Sequence, residues 1–410
     1  MRGARIAFVV SIVASGACAG LLDLDDVAYL PAADASAGDA RAPDATGDAV
    51  PDSAPNEAGD AGFDLDADLC PDGVTMGVEI VDADPNATTD CGGIPVQLGS
   101  NANHCGACGH GCRSSPTCSG FVCQPEHVYD GDGGTILGMG NVVGGDVFFT
   151  DDRRALSVGT DGGPITEWLD AGGNGLTFAD PARVFVLVGT SIVALPRDGG
   201  ASVLVYQGGA PFDLGESPTH LYVPGTGAPS WIDEALKNGG DAGRIVNAAD
   251  APRRVRYDSS QIFWLTNAGT DAGAIAYYDL PTKAGPYTSG PIPGASVLGV
   301  SGPYLYYYAD APVRELRRLP RNSLAAAPQT LARFEEVDNA RYGHQIIVDS
   351  DDVFVATGRD DNNNNERFYK VPKCGGVPRA LVKSYFNTIA TDAEYAYFVS
   401  GSSVVKTPKR

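Results

Sequence analysis

The chain has 410 residues and a formal net charge of −22, with 43% hydrophobic residues, which is enough for a sizeable core and two or three domains. This acidity argues against nucleic acid or an anionic membrane surface as a partner, because both are bound by basic patches. No apolar run reaches the roughly 20 residues that a membrane-spanning helix needs.

The N-terminus, residues 1–17, is typical of an export signal. A basic start is followed by an apolar run over residues 6–14, which is too short to span a bilayer. The small residues before Cys18 resemble the lipobox of bacterial lipoproteins, with Ser15 where the lipobox usually has leucine. That resemblance implies that Cys18 is lipidated and that the mature protein sits on an outer membrane or cell surface. The alternative is ordinary signal-peptidase cleavage at a neighbouring alanine and a fully soluble exported protein.

Residues 18–69 form an acidic linker that we expect to be disordered. Between Asp23 and Leu69, thirteen acidic residues stand against one arginine, so this stretch carries a charge of −12 (1 − 13). Alanine, aspartate, glycine and proline dominate it, and it cannot bury enough surface to offset the entropy cost of folding. Repulsion among its carboxylates extends the chain. This suits a spacer beside a lipid anchor, and a solubilising filler is the alternative.

Residues 70–124 form a small cysteine-rich module. Seven of the nine cysteines of the chain fall in it, and such density in an exported chain predicts disulfides. Cys105 and Cys108, with His104 and His110 nearby, also allow a zinc interpretation, but a zinc ribbon needs a second such pair after a longer loop. The seven cysteines are Cys70, Cys91, Cys105, Cys108, Cys112, Cys118 and Cys123.

The stretch CGACGHGC, residues 105–112, resembles the CGACGxxC motif of predicted surface lipoproteins of myxobacteria-like bacteria. It is also similar to the cysteine core of stigma-specific plant proteins. In the bacterial pattern another cysteine often follows CGG, whereas here Cys91-Gly92-Gly93 continues into Ile-Pro, which leaves the module with an odd number of cysteines. The resemblance implies a lipid-anchored, extracytoplasmic protein in which the module precedes a β-propeller.

A repeat with a period near 40 residues dominates residues 125–410. Triplets of an apolar residue, an aromatic residue and another apolar or aromatic residue recur, and their central aromatics are 37 to 48 residues apart. Several short strands per unit at this period are the pattern of β-propeller blades. We interpret the aromatics as core between blades. They are Phe148, Phe185, Tyr222, Phe263, Tyr306, Phe354 and Tyr397.

Each repeat contains four predicted strands. The first often ends in an aspartate, such as Asp180 or Asp349, which we interpret as a turn cap, and the third runs into a glycine-containing turn. The seventh unit stops after its third strand, so we predict that the strand at His127–Tyr129 completes it and closes the ring. The repeats resemble exported bacterial propellers of the TolB-like and YVTN type. The sequence therefore predicts an all-β, seven-bladed propeller, with six or eight blades as alternatives.

No catalytic signature stands out in the sequence. We favour a non-catalytic, monomeric propeller that binds or scaffolds a cell-surface protein or polysaccharide, without nucleic acid and with membrane contact only through its lipid. The alternative is a propeller enzyme similar to gluconolactonase-type hydrolases or lyases, which hold a divalent cation in the central channel. Candidate ligands near the starts of innermost strands are Asn174, Asp213, His344 and Asn387.

The loops between second and third strands vary most, and in a propeller they emerge on one face around the channel. Their acidic residues suit Ca²⁺, which takes hard oxygen ligands, and a flexible polar loop is the alternative. We expect no other cofactor. The acidic residues of this loop face are Asp151, Asp152, Asp271, Asp310, Asp360 and Asp361.

Cys374 stands in the turn VPKCGG, although comparable turns of the chain have Asp or Asn before their paired glycines. The repeat places this turn between the third and fourth strands of the sixth blade, at its outer edge. Because the module has an odd cysteine count, we predict that Cys374 forms a disulfide with a module cysteine and closes a loop of roughly 250 residues. A free thiol or an intermolecular bridge is the alternative.

Overall fold

The computed structural model describes residues 70–409 except for 71–72, 75, 79–87, 102, 106–111, 113–116, 120–121, 132–133, 171–172, 209–212, 226–228, 249–250, 269, 271–272, 311–312, 335–341, 359–366 and 384–387. The export signal, Cys18 and the acidic linker lie outside the described residues. Within the described ranges all regular secondary structure is β-strand, and no helix there has the length and apolarity needed to cross a membrane.

Thirty-three strands follow one another along the described chain. They are β1 (Gly77–Val78), β2 (Thr88–Asp90), β3 (Pro95–Gln97), β4 (Cys118–Ser119), β5 (Val122–Cys123), β6 (Glu126–Asp130), β7 (Ile136–Val143), β8 (Asp146–Asp151), β9 (Arg154–Gly159), β10 (Ile165–Asp170), β11 (Gly173–Ala179), β12 (Arg183–Val188), β13 (Ser191–Pro196), β14 (Val203–Gln207), β15 (Gly215–Glu216), β16 (His220–Gly225), β17 (Ser230–Leu236), β18 (Gly243–Ala248), β19 (Arg253–Asp258), β20 (Gln261–Thr266), β21 (Ala274–Asp279), β22 (Ala284–Thr288), β23 (Ala295–Ser301), β24 (Tyr304–Ala309), β25 (Glu315–Pro320), β26 (Gln329–Arg333), β27 (Tyr342–Val348), β28 (Asp352–Gly358), β29 (Arg367–Pro372), β30 (Arg379–Lys383), β31 (Ile389–Thr391), β32 (Tyr395–Ser400) and β33 (Ser403–Pro408).

These strands build a seven-bladed β-propeller, as the repeat predicts. Blades 1 to 6 are the antiparallel sheets β7–β10, β11–β14, β15–β18, β19–β22, β23–β26 and β27–β30, each with its first strand innermost. Blade 7 consists of β31, β32 and β33 with β6 as its outer strand. The inner strands of neighbouring blades pack side by side, and β31 of blade 7 packs against β7 of blade 1.

The second strand of every blade carries the aromatic triplet into the core. All seven central aromatics are at most 2% exposed, and they lie in hydrophobic clusters that join adjacent blades. Aromatic and β-branched side chains suit a strand that is buried on both faces. The interpretation of these residues as core between blades is confirmed.

The N-terminal strand of the propeller closes the ring. Strand β6 pairs antiparallel with β33, with Tyr129 opposite Val404. The ring of Tyr129 then packs 5.1 Å, centroid to centroid, from that of Phe149 in blade 1. The predicted closure at His127–Tyr129 is confirmed, and it covers the edge of β33 that would otherwise be left unpaired.

In blades 2, 3 and 7, a lysine or arginine that follows the third strand contacts a carboxylate and an aromatic ring of the preceding blade. In blade 7, Lys409 Nζ lies 2.8 Å from Asp349 Oδ2 and 5.0 Å from the ring centre of Phe354, both in blade 6. Asp349 also accepts hydrogen bonds from the backbone of Asp351 and Asp352, so it is a turn cap as predicted. The same arrangement joins Arg197 to Asp146 and Phe148, and Lys237 to Asp180 and Phe185.

The cysteine module is held by disulfides in its described part. Cys105 pairs with Cys118 and Cys112 with Cys123, and Cys91 is also disulfide-bonded. The sulfurs of Cys105, Cys112 and Cys123 lie within 4.8 Å of one another, but all three are used in these bonds rather than as zinc ligands.

Cys374 is bonded to Cys70, the first described residue. The turn that carries Cys374 lies between β29 and β30 of blade 6, as the repeat predicts. The sequence separation is 304 residues rather than roughly 250, because the partner is the first module cysteine and not one near the start of the propeller. Strand β1 follows Cys70 and adds a fifth, parallel strand to the outer edge of blade 5.

Candidate functional site

The four predicted channel ligands do not form a described metal site. Asp213 precedes β15 of blade 3 and pairs with Arg256 of blade 4. Asn174 and His344 lie on the inner strands β11 and β27. Their side chains, and Asn387, fall outside the part of the chain that the structure describes. A channel metal stays a prediction, and the carboxylate of Asp213 is already engaged.

The acidic loop face contains one carboxylate with a clear structural role. Asp151 is buried and accepts hydrogen bonds from the backbone nitrogens of Arg153 and Arg154, and its Oδ2 lies 2.7 Å from Arg154 Nη2. Burial alone would raise the pKa of Asp151, but these hydrogen bonds outweigh burial and hold the pKa below its usual value. Asp152 is exposed and Asp310 is half-buried. Asp271, Asp360 and Asp361 lie outside the described residues, so calcium binding on this face stays a prediction.

The inner strand of blade 4 carries three arginines within four residues and is bulged between them. Arg253 pairs with Leu265 and Arg256 with Phe263, so the strand holds one residue more than its partner over this interval. Arg254 takes up the extra residue with a φ of 57°. The left-handed conformation costs a residue with a side chain roughly 1–2 kcal/mol. Strained backbone of this kind is concentrated at functional sites.

Arg256 fixes one side of this bulge by spanning three blades. Its Nη1 lies 3.2 Å from Asp213 Oδ1 in blade 3, and its Nε donates a 3.1 Å hydrogen bond to the carbonyl of Leu298 in blade 5. The guanidinium also donates to the carbonyl of Val255. Arg256 is therefore a structural residue of the channel wall.

Arg254 and Arg253 supply positive charge that this network does not neutralise. Burial lowers the pKa of Arg254 below the usual arginine value; Asp213 opposes this effect, and Arg256 and Arg253 add to it. Arginine stays cationic in proteins even so. Among the described carboxylates, none forms an ion pair with Arg253 or Arg254. Because the inner strands line the channel, we regard these two arginines as the candidate functional site.

An open cleft of about 690 Å³ between blades 2 and 3 is the other concave feature that we considered. Its lining includes Arg183, Arg197 and Lys237. Arg197 is paired with Asp146, and Lys237 Nζ lies 2.5 Å from Glu216 Oε1. Arg183 donates to the carbonyl of Lys237. The described cations of this cleft thus connect neighbouring blades, and none of these cations is left to bind a ligand.

No signal in the repeat pattern points to Arg253 and Arg254. The sequence shows a basic cluster inside a predicted first strand of an acidic protein. Its interpretation as a binding site depends on the bulge at Arg254 and on the ion pair between Arg256 and Asp213. Neither the register shift nor the ion pair follows from the spacing of the residues.

Comparison with known proteins supports the fold. No family model matches the chain, and no curated protein does. A chain of the Mitotic Checkpoint Complex aligns with a TM-score of 0.51 at 12% identity, over 70% of this chain and 94% of that one.

Two other solved structures have TM-scores below 0.5. BamB from Moraxella catarrhalis gives 0.45 at 11% identity, over 82% of this chain and 97% of its own. The extracellular domain of a putative one component system from B. thetaiotaomicron gives 0.48 at 11% identity, over 70% of this chain and 40% of that one. At such identities a likeness concerns the fold alone.

Proposed function

We propose that the protein is an exported, lipid-tethered β-propeller that binds an anionic group of a cell-surface ligand at the blade 4 side of its channel. The observation that carries this proposal is Arg254, a desolvated guanidinium held in a left-handed conformation beside Arg253. Guanidinium groups bind carboxylate and phosphate oxygens in a two-pronged geometry. The left-handed conformation of Arg254 is also accounted for if it presents this side chain to a ligand.

The acidity of the whole molecule restricts the kind of ligand. A net charge of −22 repels densely charged polyanions such as nucleic acids, whereas a local pair of arginines attracts isolated anionic groups at short range. We therefore favour a polysaccharide with spaced carboxylates, such as one that contains uronic acids. An acidic protein segment is the competing ligand in the experiment below.

Arg254→Gly is expected to weaken ligand binding while making the protein more stable. Glycine adopts positive φ without the steric cost that a side chain pays, so we expect a gain of about 0.5–1 kcal/mol in the free energy of unfolding. Loss of a charge-assisted hydrogen bond of about 1.5–3 kcal/mol weakens binding roughly 10- to 100-fold. Calorimetric titration with hyaluronan fragments, which carry one carboxylate per disaccharide, and urea unfolding measure the two effects.

Arg244→Gln provides the matched control, because Arg244 is a half-exposed arginine on the outer strand of blade 3, where it stacks on Trp231 of the neighbouring strand. It should leave hyaluronan binding unchanged. Neutral dextran should not bind, and poly-glutamate tests the acidic-protein alternative. A destabilised Arg254→Gly variant, or equal binding by wild type and variant, would contradict the proposal.

Export and anchoring rest on the signal, the lipobox-like Cys18 and the disulfides, which persist in oxidising compartments. Cys18→Ser is expected to move the protein from the membrane fraction to the soluble extracytoplasmic fraction without altering the propeller. Fractionation followed by mass spectrometry of the mature N-terminus checks this. A wild-type protein that is soluble and has an unmodified N-terminus would exclude the lipid anchor and leave the binding proposal untouched.

A further inference from the structure

The disulfide between Cys70 and Cys374 is chemically asymmetric. Cys70 is 3% exposed, whereas Cys374 is partly exposed in its turn at the outer edge of blade 6. A thiol from solvent can therefore approach Cys374 far more readily than Cys70. In thiol–disulfide exchange the attacked sulfur keeps the new bond and the other sulfur leaves as a thiolate. Accessibility thus assigns Cys70 as the leaving group.

A fully buried arginine lies against the leaving sulfur. Arg318 is 0% exposed, and its Nη1 lies 3.3 Å from Cys70 Sγ. The same Nη1 donates to the carbonyl of Lys373 at 3.4 Å, and Nε donates to Gln329 Oε1 at 2.7 Å. The guanidinium also stacks on Tyr304 at 4.1 Å. These contacts fix the cation in place before any reaction.

A nearby cation stabilises a thiolate, and a stabilised thiolate is a better leaving group. At the Cys70–Cys374 bond, Arg318 places such a cation against the buried sulfur of Cys70. The Cys105–Cys118 and Cys112–Cys123 disulfides differ in accessibility, because all four of their cysteines are buried and none of their sulfurs is open to a thiol from solvent.

We propose that Cys374 is a thiol-exchange site, at which an extracytoplasmic thiol forms a mixed disulfide and releases Cys70 as a thiolate paired with Arg318. The attacking thiolate forms a bond to Cys374 Sγ, and the bond between Cys374 Sγ and Cys70 Sγ breaks. The bonding electron pair leaves with Cys70 Sγ. The incoming thiol is oxidised to the mixed disulfide and Cys70 is reduced, so no further oxidant or reductant is needed.

Exchange would loosen the attachment of the N-terminal segment to the propeller. After Cys70, the segment is held to blade 5 by β1, which has two residue pairs with β26, and by Val74, which packs on the core of blades 5 and 6. Cys374 would at the same time carry the incoming thiol on the rim of blade 6. The site therefore suits covalent capture of a thiol-bearing molecule, independently of the arginine site in the channel.

The test is limited exposure of the mature full-length protein to reduced glutathione, followed by acid quenching, alkylation and peptide mass spectrometry. We expect glutathione on Cys374 and the alkylating agent on Cys70, before either buried module disulfide opens. Cys91 is disulfide-bonded and partly exposed, so it serves as an internal comparison that we expect to react more slowly. Glutathione on Cys70, or no reaction ahead of the other disulfides, would overturn the proposal.

Substitution of the arginine tests the leaving-group effect. Arg318→Met is expected to slow adduct formation about 3- to 10-fold, and Arg318→Lys, which keeps the charge, to slow it less. Lys370→Met is the matched control, because Lys370 lies on strand β29 of blade 6 and its Nζ pairs with Asp352 rather than sulfur, and its rate should equal that of wild type. Equal rates for all four proteins would refute the role of Arg318. If Arg318→Met fails to fold, the position of the adduct in wild type still decides the proposal.

Discussion

Replacing Val128 with aspartate is expected to prevent stable closure of the propeller. Val128 is 8% exposed in the hydrophobic cluster that joins blades 6, 7 and 1. Its strand, β6, is the outer strand of blade 7, and Tyr129 of this strand packs on Phe149 of blade 1. An unpaired carboxylate in this cluster costs at least about 4 kcal/mol. Urea unfolding followed by circular dichroism should show a much lower midpoint, or no folded protein.

The neighbouring residue gives a control within the same strand. His127 is exposed, and its hydrogen bond with Asp130 is exposed too, so His127→Ala should leave the urea midpoint unchanged. Increased protease sensitivity of Val128→Asp at the junction of blades 7 and 1 would support ring opening at this point. A midpoint for Val128→Asp close to that of wild type would show that β6 does not hold the ring closed.

The number of blades and their closure could be read from the sequence because both depend on a local pattern that recurs. Phe148 and Tyr397 each sit in the middle of an apolar triplet, and each is buried for the same reason. The missing fourth strand of the last repeat required a strand from elsewhere, and His127–Tyr129 was the apolar segment available. A regular repeat period is thus enough to predict the fold, even though no family model matches the chain.

The contacts between blades could not be read in the same way. A basic residue after the third strand, as in Lys409, looks like an ordinary solvated turn residue in the sequence. Its carboxylate and aromatic partners lie in the preceding blade, and only the ring geometry brings them together. Such a cation is partly desolvated and is held by both a carboxylate and an aromatic ring. It therefore stabilises the contact between the two blades more than an exposed ion pair would.

The candidate functional site also depends on contacts between blades that could not be predicted from the sequence. Asp213 was predicted as a metal ligand because of its position before an inner strand, and that position is correct. The ion pair of Asp213 with Arg256, which lies 43 residues further along the chain and in the next blade, could not be read from that position. Likewise, an odd cysteine count could predict that Cys374 has a module partner, but it could not select Cys70, which is 304 residues away.

Glu315→Gln is expected to lower the free energy of unfolding by about 2–4 kcal/mol at neutral pH, because it leaves two arginines without their buried carboxylate. The side chain of Glu315 is 3% exposed. Its oxygens lie 2.6 Å from Arg317 Nε and 2.6 Å from Arg333 Nε, and they accept a hydrogen bond from Thr330. The estimate is below that for a fully enclosed pair because Arg333 is half-exposed.

The pH dependence of the stability difference between wild type and Glu315→Gln gives a sharper test than its size at neutral pH. Burial would raise the pKa of Glu315, but hydrogen bonds from Arg317 and Arg333 outweigh burial and hold the pKa below the ordinary value of 4.5. Since the folded pKa is the lower one, the stabilisation is complete above the unfolded pKa and is lost as the pH falls through the folded pKa. The gap between wild type and Glu315→Gln should therefore be widest near pH 7 and narrow steadily below about pH 4.5.

Other carboxylates with lowered pKa values, such as Asp151 and Asp349, titrate equally in wild type and variant, so their effects cancel in the difference. Glu167→Gln makes the same chemical change at a half-exposed carboxylate 3.8 Å from Arg154, and it should cost less than about 1 kcal/mol at any pH. Urea midpoints measured from pH 7 down to pH 3.5 provide the comparison. A gap for Glu315→Gln that stayed constant with pH would mean that its cost comes from packing or lost hydrogen bonds rather than from the charge of the carboxylate.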